Sequence, residues 1–139
     1  IKGLLIDVDN TLIDYNKNIL DGVKEWIDKM RDEGVKLCIL SNTNNKLKVQ
    51  NVSRYLDIPY IFFAMKPLKN GFKKGMKKLK LESKNIAVIG DQLLTDVLGA
   101  NRSNMYSILV KPIHEKDIFI TKLKRPLERK IMNKYLNKK

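Results

Sequence analysis

The sequence predicts an α/β fold in which helices cover both faces of a five-stranded parallel sheet, forming a three-layer sandwich. Two observations lead to this prediction. Short apolar runs alternate along the chain with segments of helical periodicity, which indicates strands joined by right-handed crossover helices. The 139 residues are 43% hydrophobic, which suits a single domain with a packed core and disfavours global disorder.

Five apolar segments are predicted strands. The first, Gly-Leu-Leu-Ile-Asp-Val, is almost continuous in apolar residues, as expected for a strand buried on both faces of a sheet. The predicted strands cover residues 3–8, 35–40, 60–63, 86–89 and 106–110. Ligands of such sheets bind beyond the carboxyl ends of the strands, so the residues that follow each strand are the candidates for function.

Four helices are predicted between these strands. In the first, apolar residues recur at spacings of three and four, at Val23, Trp26, Ile27 and Met30. We expect Gly34 to end this helix, Asn44 to cap the second, and Trp26 to lie in the core. Gly71 and Gly75 weaken the third helix by about 1 kcal/mol each relative to Ala. The predicted helices cover residues 19–34, 45–56, 68–79 and 95–101.

Polar and charged side chains follow each of the first four predicted strands. Asp7 and Asp9 stand at positions i and i+2, which places both carboxylates on one side of an extended chain. Their mutual repulsion is costly unless a cation or a shared proton relieves it. The other strand-end residues are Ser41, Asn42, Lys66 and Asp91, with Asp96 five residues further along.

This set of residues suits phosphoryl transfer. Asp7, Asp9 and Asp91 offer hard oxygen ligands of the kind that Mg²⁺ prefers. Ser41 and Lys66 carry donors that can hold phosphate oxygens. A carboxylate can act as the nucleophile and form an aspartyl-phosphate, and a cation beside it screens its repulsion from the substrate.

The same residues resemble the four motifs of the haloacid dehalogenase (HAD) superfamily of phosphatases. Asp7-Val8-Asp9-Asn10-Thr11 resembles the first motif, DxDxT. The second, third and fourth motifs are matched in order by Ser41, Lys66 and the run Gly90-Asp91-Gln92-Leu93-Leu94-Thr95-Asp96. The resemblance covers at least residues 3–110 and implies a HAD-like Rossmannoid fold, with residues 1–115 as the phosphatase core.

A closer resemblance is to the YqeG-like, class IIIA branch, which is related to the mitochondrial phosphatidylglycerophosphate phosphatases. The segments that carry it are Ala64-Met65-Lys66-Pro67, residues 90–99, Asn101-Arg102, Phe119-Ile120-Thr121 and Arg125-Pro126-Leu127-Glu128. This branch implies a Mg²⁺-dependent phosphomonoester hydrolase that dephosphorylates phosphatidylglycerophosphate.

The resemblance implies a role for each matching residue. Asp7 would be the nucleophile and a metal ligand. Asp9 would be the catalytic acid and base, and would also bind the metal through its backbone carbonyl. Asp91 would complete the metal site. Ser41 and Lys66 would hold the phosphoryl group, Lys66 being a catalytic residue as well.

Four further positions have implied supporting roles. Backbone N–H groups near Asn10 and Asn42 would bind the phosphate, and Thr11 would buttress the loop after the first strand. Asp96 would be an auxiliary acid. On the residues alone, Asp96 has a second interpretation as an acid at a helix N-terminus, where the helix dipole favours it.

The spacing of the motifs predicts a capless enzyme. Asp9 and Ser41 are 32 residues apart, and Ser41 and Lys66 are 25 apart. One helix with its loop or strand fills each gap, which leaves no room for the cap domain that other superfamily members insert there. A capless site is open, which suits a phosphate carried on a lipid, a protein or a nucleic acid. A small metabolite would need a lid supplied by oligomerisation.

The charge of the chain is +13, and residues 111–139 hold 10 basic and 3 acidic residues. A basic chain favours anionic partners: nucleic acid, an anionic membrane surface or a phosphorylated substrate. Residues 116–139 are predicted to be a basic extension with an amphipathic helix, whose apolar stripe is Leu127, Ile131 and Tyr135. This helix would pack on the core or contact anionic lipid headgroups.

The predicted location is the cytoplasm, with peripheral association at the inner face of the membrane. Cys38 is the one cysteine, which fits a reducing compartment, and we expect it to be inert core. His114, the one histidine, is expected at the surface. Alternatives are an RNA- or ribosome-binding module with a vestigial phosphatase site, and a phosphatase of small sugar or nucleotide phosphates. A receiver-like phospho-switch fits the spacing poorly.

Overall fold

A computed structural model describes residues 1–112 and contains each of the nine predicted helices and strands. The strands are β1 (Gly3–Ile6), β2 (Lys36–Leu40), β3 (Tyr60–Ile61), β4 (Ile86–Gly90) and β5 (Tyr106–Leu109). The helices are α1 (Val23–Asp32), α2 (Lys46–Leu56), α3 (Lys69–Leu79) and α4 (Leu98–Arg102). A 3₁₀ turn (Ser83–Asn85) precedes β4, and a single π-helical turn (Leu93–Val97) leads into α4.

The five strands form one open parallel sheet in the order β3-β2-β1-β4-β5. The chain builds outward from β1 through β2 to β3, then returns to place β4 on the other side of β1. Between β1 and β4 the direction of winding reverses, and the carboxyl ends of two such strands border a crevice in doubly wound sheets. The predicted α/β sandwich is confirmed, and its topology places that crevice directly beyond Ile6 and Gly90.

Each face of the sheet packs against two helices. Leu4 and Ile6 of β1 lie in an apolar cluster with residues of α1 and α2, including Ile27 and Val49. Leu5 points to the opposite face, because successive strand side chains alternate, and lies in a cluster with residues of α3 and α4. The sheet is therefore buried on both faces, as its apolar strands predict.

The first helix begins later than predicted. Residues 9–22 form a compact loop in which Leu20 donates a backbone hydrogen bond to Leu12 and Ile13 makes isolated bridges to Asp9 and Ile19. Gly22 has a φ of +85°, which is outside the helical region, and α1 begins at the following residue. Tertiary pairing of the loop therefore competes successfully with helical periodicity over residues 19–22.

Two predictions about single residues are wrong. Trp26 was expected in the core but is 37% exposed, because the inward stripe of α1 is centred on Ile27 and Trp26 lies about 100° around the helix from it. Asn45, not Asn44, caps α2: its side chain accepts a hydrogen bond from the Lys48 N–H at 3.1 Å. Gly34, with a φ of +85°, follows the C-terminus of α1 as predicted.

The segments between the predicted motifs contain no additional domain within the described residues. One holds the loop with α1 and β2, and the other holds α2 and β3. Within the same part of the chain, no helix is both long and apolar enough to cross a bilayer. The predicted extension at 116–139, its amphipathic helix and His114 lie outside the described residues.

Candidate active site

Three carboxylates meet beyond the carboxyl ends of β1 and β4. Asp7 follows β1, Asp91 follows β4, and Asp96 lies in the π-helical turn after β4. One carboxylate oxygen from each lies within 4.8 Å of the others, the only such acidic group found among residues 1–112. The acidic cluster thus occupies the crevice where the topology predicts a ligand.

Lys66 lies in the centre of this cluster. Its Nζ donates to Asp7 Oδ1 at 3.0 Å, to Asp96 Oδ1 at 2.7 Å and to the Leu40 carbonyl at 2.8 Å. The Lys66 side chain is only 2% exposed. All three ammonium hydrogens have acceptors, so this buried charge is fully compensated.

Lys66 lies in the connection from β3 to α3, and the loop after β2 holds it in place. The Lys66 N–H donates to Asn42 Oδ1 at 2.7 Å, and Asn42 Nδ2 donates to the Lys66 carbonyl at 3.0 Å. These two hydrogen bonds between the Asn42 side-chain amide and the Lys66 backbone explain why a polar residue follows β2. Asn42, predicted to bind phosphate through nearby N–H groups, also positions Lys66.

The electrostatics of the cluster reflect three carboxylates around one ammonium group. Burial raises the pKa of Asp7 well above its ordinary value; Lys66 opposes this, whereas Asp96 and Asp91 add to it. Burial alone would lower the pKa of Lys66, but the Asp7 and Asp96 carboxylates outweigh it and the pKa lies above its ordinary value. The pKa of Asp7 is therefore raised chiefly by burial, and the pKa of Lys66 by the two carboxylates that face it.

Gly90 allows Asp96 to approach the sheet. A Cβ at Gly90 would overlap the Asp96 carboxyl group, so the end of β4 accepts only glycine with this arrangement. The Gln92 N–H donates to Asp96 Oδ2 at 3.2 Å, and Asp96 itself is buried. The structure brings Asp96, predicted as an auxiliary acid, into the centre of the site.

Asp9 lies at the solvent side of the site. Its side chain is 51% exposed, and its Oδ1 accepts a hydrogen bond from Lys48 Nζ at 2.6 Å. Sequence reasoning missed Lys48, since it lies 39 residues away in the first turn of α2 and no local pattern distinguishes it from the other lysines of the chain. Only the fold reveals this contact.

The remaining predicted residues line the same loops. Ser41 is 1% exposed, and its Oγ accepts a hydrogen bond from the Thr43 N–H at 3.3 Å. Asn10 is buried and has a φ of +60°, which turns the backbone after Asp9. The Thr11 N–H donates to the Val8 carbonyl at 3.2 Å, while its hydroxyl makes no hydrogen bond within the described residues.

A hard divalent cation fits the donor set. Three carboxylate oxygens within 4.8 Å of one another can converge on one ion, and oxygen donors are what Mg²⁺ and similar ions select. Among residues 1–112, the cluster contains no thiolate or imidazole that would favour a softer metal. The excess negative charge is a second reason why a cation would be stabilised here.

The fold and this site define a class of phosphatases. A family model of haloacid dehalogenase-like hydrolases matches residues 16–104, and the chain belongs to that family. The chain is a HAD phosphatase, so the family predicted from the four strand-end motifs is confirmed.

Two relatives show this similarity at the level of the amino-acid sequence. Over 134 residues the chain is 41% identical to the probable phosphatase YqeG of Bacillus subtilis (strain 168), spanning 96% of this chain and 77% of that protein. It is 21% identical over 108 residues to the ribulose-1,5-bisphosphate 5-phosphatase of Halopiger xanaduensis, spanning 72% of this chain and 45% of that protein.

Solved structures show the same fold. An uncharacterized protein from Listeria monocytogenes serotype 4b superposes with a TM-score of 0.66 at 18% identity. The match covers 85% of this chain and 85% of that chain. A HAD phosphatase from Thermococcus onnurineus has a TM-score of 0.60 at 21% identity, with 79% of this chain and 58% of that chain covered. At these identities the likeness concerns the fold alone.

Proposed function

We propose that the protein is a Mg²⁺-dependent phosphomonoester hydrolase that works through an aspartyl-phosphate on Asp7. The observation that carries the proposal is the cluster itself: a buried carboxylate with an ammonium group at 3.0 Å and two more carboxylates around it. This arrangement has a nucleophile, a cationic donor for phosphate oxygens and a cation site in one crevice.

In this proposal Asp7 attacks the phosphorus atom of the ester. A bond forms between an Asp7 carboxylate oxygen and phosphorus, and the bond from phosphorus to the ester oxygen breaks. Lys66 balances the charge of the phosphoryl oxygens and donates to one of them in place of its hydrogen bond to Asp7, and backbone N–H groups near Asn10 and Asn42 orient them. A bound Mg²⁺ would be held by Asp7, the Asp9 carbonyl and Asp91, and would neutralise the charge between nucleophile and phosphate.

Asp9 is proposed to transfer the protons. It donates a proton to the departing ester oxygen and then takes one from the water that attacks the phosphoenzyme. That water releases phosphate and regenerates the Asp7 carboxylate. Two features support this assignment: Asp9 lies two residues from Asp7, and its carboxyl group is half exposed, so that a substrate can reach it.

The test is hydrolysis of an aryl phosphate by the purified chain in the presence and absence of Mg²⁺. Asp7→Asn should abolish turnover, while Asp32→Asn, an exposed acid on α1, should leave it unchanged. Asp9→Asn should slow breakdown of the phosphoenzyme, which acid quenching and hydroxylamine lability would detect. Equal activity of the Asp7→Asn variant and the wild type would refute the mechanism.

For the substrate we propose phosphatidylglycerophosphate, at an anionic membrane surface. Two features support a phosphate on a large carrier: the described residues contain no cap domain, and the chain carries a net charge of +13. The curated Halopiger relative acts on a sugar bisphosphate, which makes sugar phosphates the competing class.

A substrate panel would separate these classes. Phosphate release from phosphatidylglycerophosphate in mixed micelles should exceed release from sugar phosphates and nucleotides, measured at equal concentrations. No preference for the lipid would reject it as the substrate while leaving the phosphatase mechanism in place.

A further inference from the structure

Large apolar side chains are exposed beside the acidic cluster. The β3–α3 connection carries Phe63, Met65 and Leu68, and the first turn of α2 carries Leu47. Their exposures are 56%, 51%, 48% and 65% respectively. We call these four residues the apolar rim. Each of them therefore leaves about half of its surface in contact with water within residues 1–112, although burial of such side chains in an apolar environment is favourable.

Backbone and side-chain contacts join the two halves of the apolar rim. The Phe63 N–H donates to the Thr43 carbonyl at 2.8 Å, which ties the β3–α3 connection to the loop that enters α2. Lys46 Nζ lies 5.7 Å from the centre of the Phe62 ring, and Leu47 is the next residue of α2. These contacts bring the two segments that carry the rim together beyond the carboxyl ends of β2 and β3.

The backbone of the rim is strained in a way that local sequence does not require. Phe63 has a φ of +50° and Met65 a φ of +56°, a region that bulky L-residues rarely adopt. Such strain is typical of functional sites. Here it accompanies apolar side chains held in water, and the second strained residue directly precedes Lys66.

The surroundings of the rim are positively charged. Residues 41–81 contain ten Lys and Arg residues and a single acidic residue, Asp57. This segment includes α2, which packs on one face of the sheet, and α3, which packs on the other. The rim lies at the starts of both helices, where Lys46 of α2 and Lys69 of α3 are exposed, so positive charge flanks it on two sides.

We propose that the apolar rim docks this protein onto an anionic lipid bilayer, with lysines of α2 and α3 at the headgroups. Apolar side chains surrounded by basic residues are the combination that binds such a surface. Three of the four rim side chains are aliphatic or thioether and offer no ring for a base to stack on, which disfavours RNA. The proposal deepens the lipid-substrate part of the proposed function and rests on it.

Docking through the rim would place the active site at headgroup level. Met65 of the rim is adjacent in sequence to Lys66, whose ammonium group contacts Asp7. The open carboxyl edge of the sheet and the rim then face the same surface. A phosphate on a lipid headgroup could approach the acidic cluster without leaving the bilayer.

Vesicle flotation of the full chain tests the docking surface. The probes are vesicles of phosphatidylglycerol and phosphatidylcholine in equal parts, and vesicles of phosphatidylcholine alone. The variant is Leu47→Gln with Phe63→Asn, since Asn tolerates a positive φ. The matched control is Tyr106→Thr, an exposed aromatic residue on β5 at the far edge of the sheet.

The wild type and the control should float with the anionic vesicles and not with the neutral ones. The double variant should bind the anionic vesicles at least about tenfold more weakly, since two apolar side chains are removed from the contact. Its hydrolysis of a soluble aryl phosphate should stay within about twofold of wild type, because neither residue contacts the acidic cluster.

Equal vesicle binding by the wild type and the double variant would overturn the proposal. So would binding of the wild type to single-stranded RNA, but not to vesicles, through the same two residues. Flotation is also measured with the inactive Asp7→Asn variant. That variant should bind vesicles as the wild type does. A wild type that binds vesicles but hydrolyses no aryl phosphate would reject the proposed function and leave the docking surface, whereas a wild type that hydrolyses aryl phosphate but binds no vesicles would reject the docking surface alone.

Discussion

Lys66 is the residue on which the active site depends most. Its ammonium group donates hydrogen bonds to two carboxylates of the acidic cluster, those of Asp7 and Asp96. By contrast, Lys48, whose side chain is 16% exposed, pairs with Asp9, which is 51% exposed, so water reaches this ion pair from the Asp9 side. The stability contribution of the fully buried Lys66 ion pairs can therefore be compared with that of the partly exposed Lys48–Asp9 pair in one site.

Lys66→Met should lower the free energy of unfolding by about 3 kcal/mol or more, because it leaves Asp7 and Asp96 buried without their cation. Lys48→Met should cost less, about 1 kcal/mol, because the half-exposed Asp9 stays solvated when its partner is removed. Urea denaturation monitored by circular dichroism measures both. Equal losses for the two variants would show that burial of the pair contributes little.

Cys38 illustrates a residue whose chemistry is suppressed by the core. It is fully buried in β2, and burial raises the pKa of its thiol to about 12, with a smaller opposing effect of Lys78. The reactive thiolate is therefore scarce at neutral pH in the folded protein. The prediction from sequence that Cys38 is inert core agrees with its burial.

The native protein should resist alkylation of Cys38 by iodoacetamide at pH 8 and react readily once unfolded in urea. Because the folded thiol pKa is raised, this residue should reduce stability as pH rises above about 8.5, where the unfolded thiol ionises. Mass spectrometry measures the alkylation. Rapid modification of the native chain would contradict the buried position.

At the scale of elements, the two glycines of α3 have a role that propensity conceals. A Cβ at Gly71 would lie 2.5 Å from the Ala64 carbonyl oxygen, and one at Gly75 would lie 2.7 Å from the Leu5 side chain. Both glycines allow α3 to lie close to the sheet and to the connection that carries Lys66. The intrinsic cost of glycine in this helix is offset by closer packing.

Gly71→Ala should therefore destabilise the protein by about 1–3 kcal/mol, although Ala is the better helix former, because the obstacle is backbone that cannot rotate away. Lys73→Ala on the exposed face of the same helix should change stability by no more than about 0.5 kcal/mol. Thermal unfolding compares the two variants. A more stable Gly71→Ala variant would mean that helix propensity outweighs packing.

At the scale of the whole molecule, the strand order decides which residues share the site. Since β4 returns beside β1, Asp91 and Asp96 lie against Asp7 although more than 80 residues separate them in sequence. The result is a concentration of negative charge in a crevice that a parallel sheet leaves open. A folded chain with this charge should be stabilised by a cation that binds it.

MgCl₂ should raise the melting temperature by about 5 °C at saturation, whereas NaCl of matched ionic strength should not, because only the native state assembles the three carboxylates. Asp91→Asn should abolish the shift. Differential scanning fluorimetry with a chelator as reference measures it. The same shift in the variant would place the ion elsewhere.

The sequence by itself determined the elements, their order and the family. Apolar runs and helical periodicity depend on near neighbours, and the four motifs lie at strand ends, so all of these can be recognised along the chain. Only their boundaries moved, as at the start of α1, where the pairing of the preceding loop overrides periodicity.

The tertiary structure alone decided the finer arrangement. It paired Lys48 with Asp9, brought Asp96 to Lys66, left Trp26 partly in water and assembled the apolar rim from two connections. These are contacts between residues that lie far apart in sequence, or exposures set by neighbouring elements. No local pattern encodes them, because they arise only when the strands are placed side by side in the sheet.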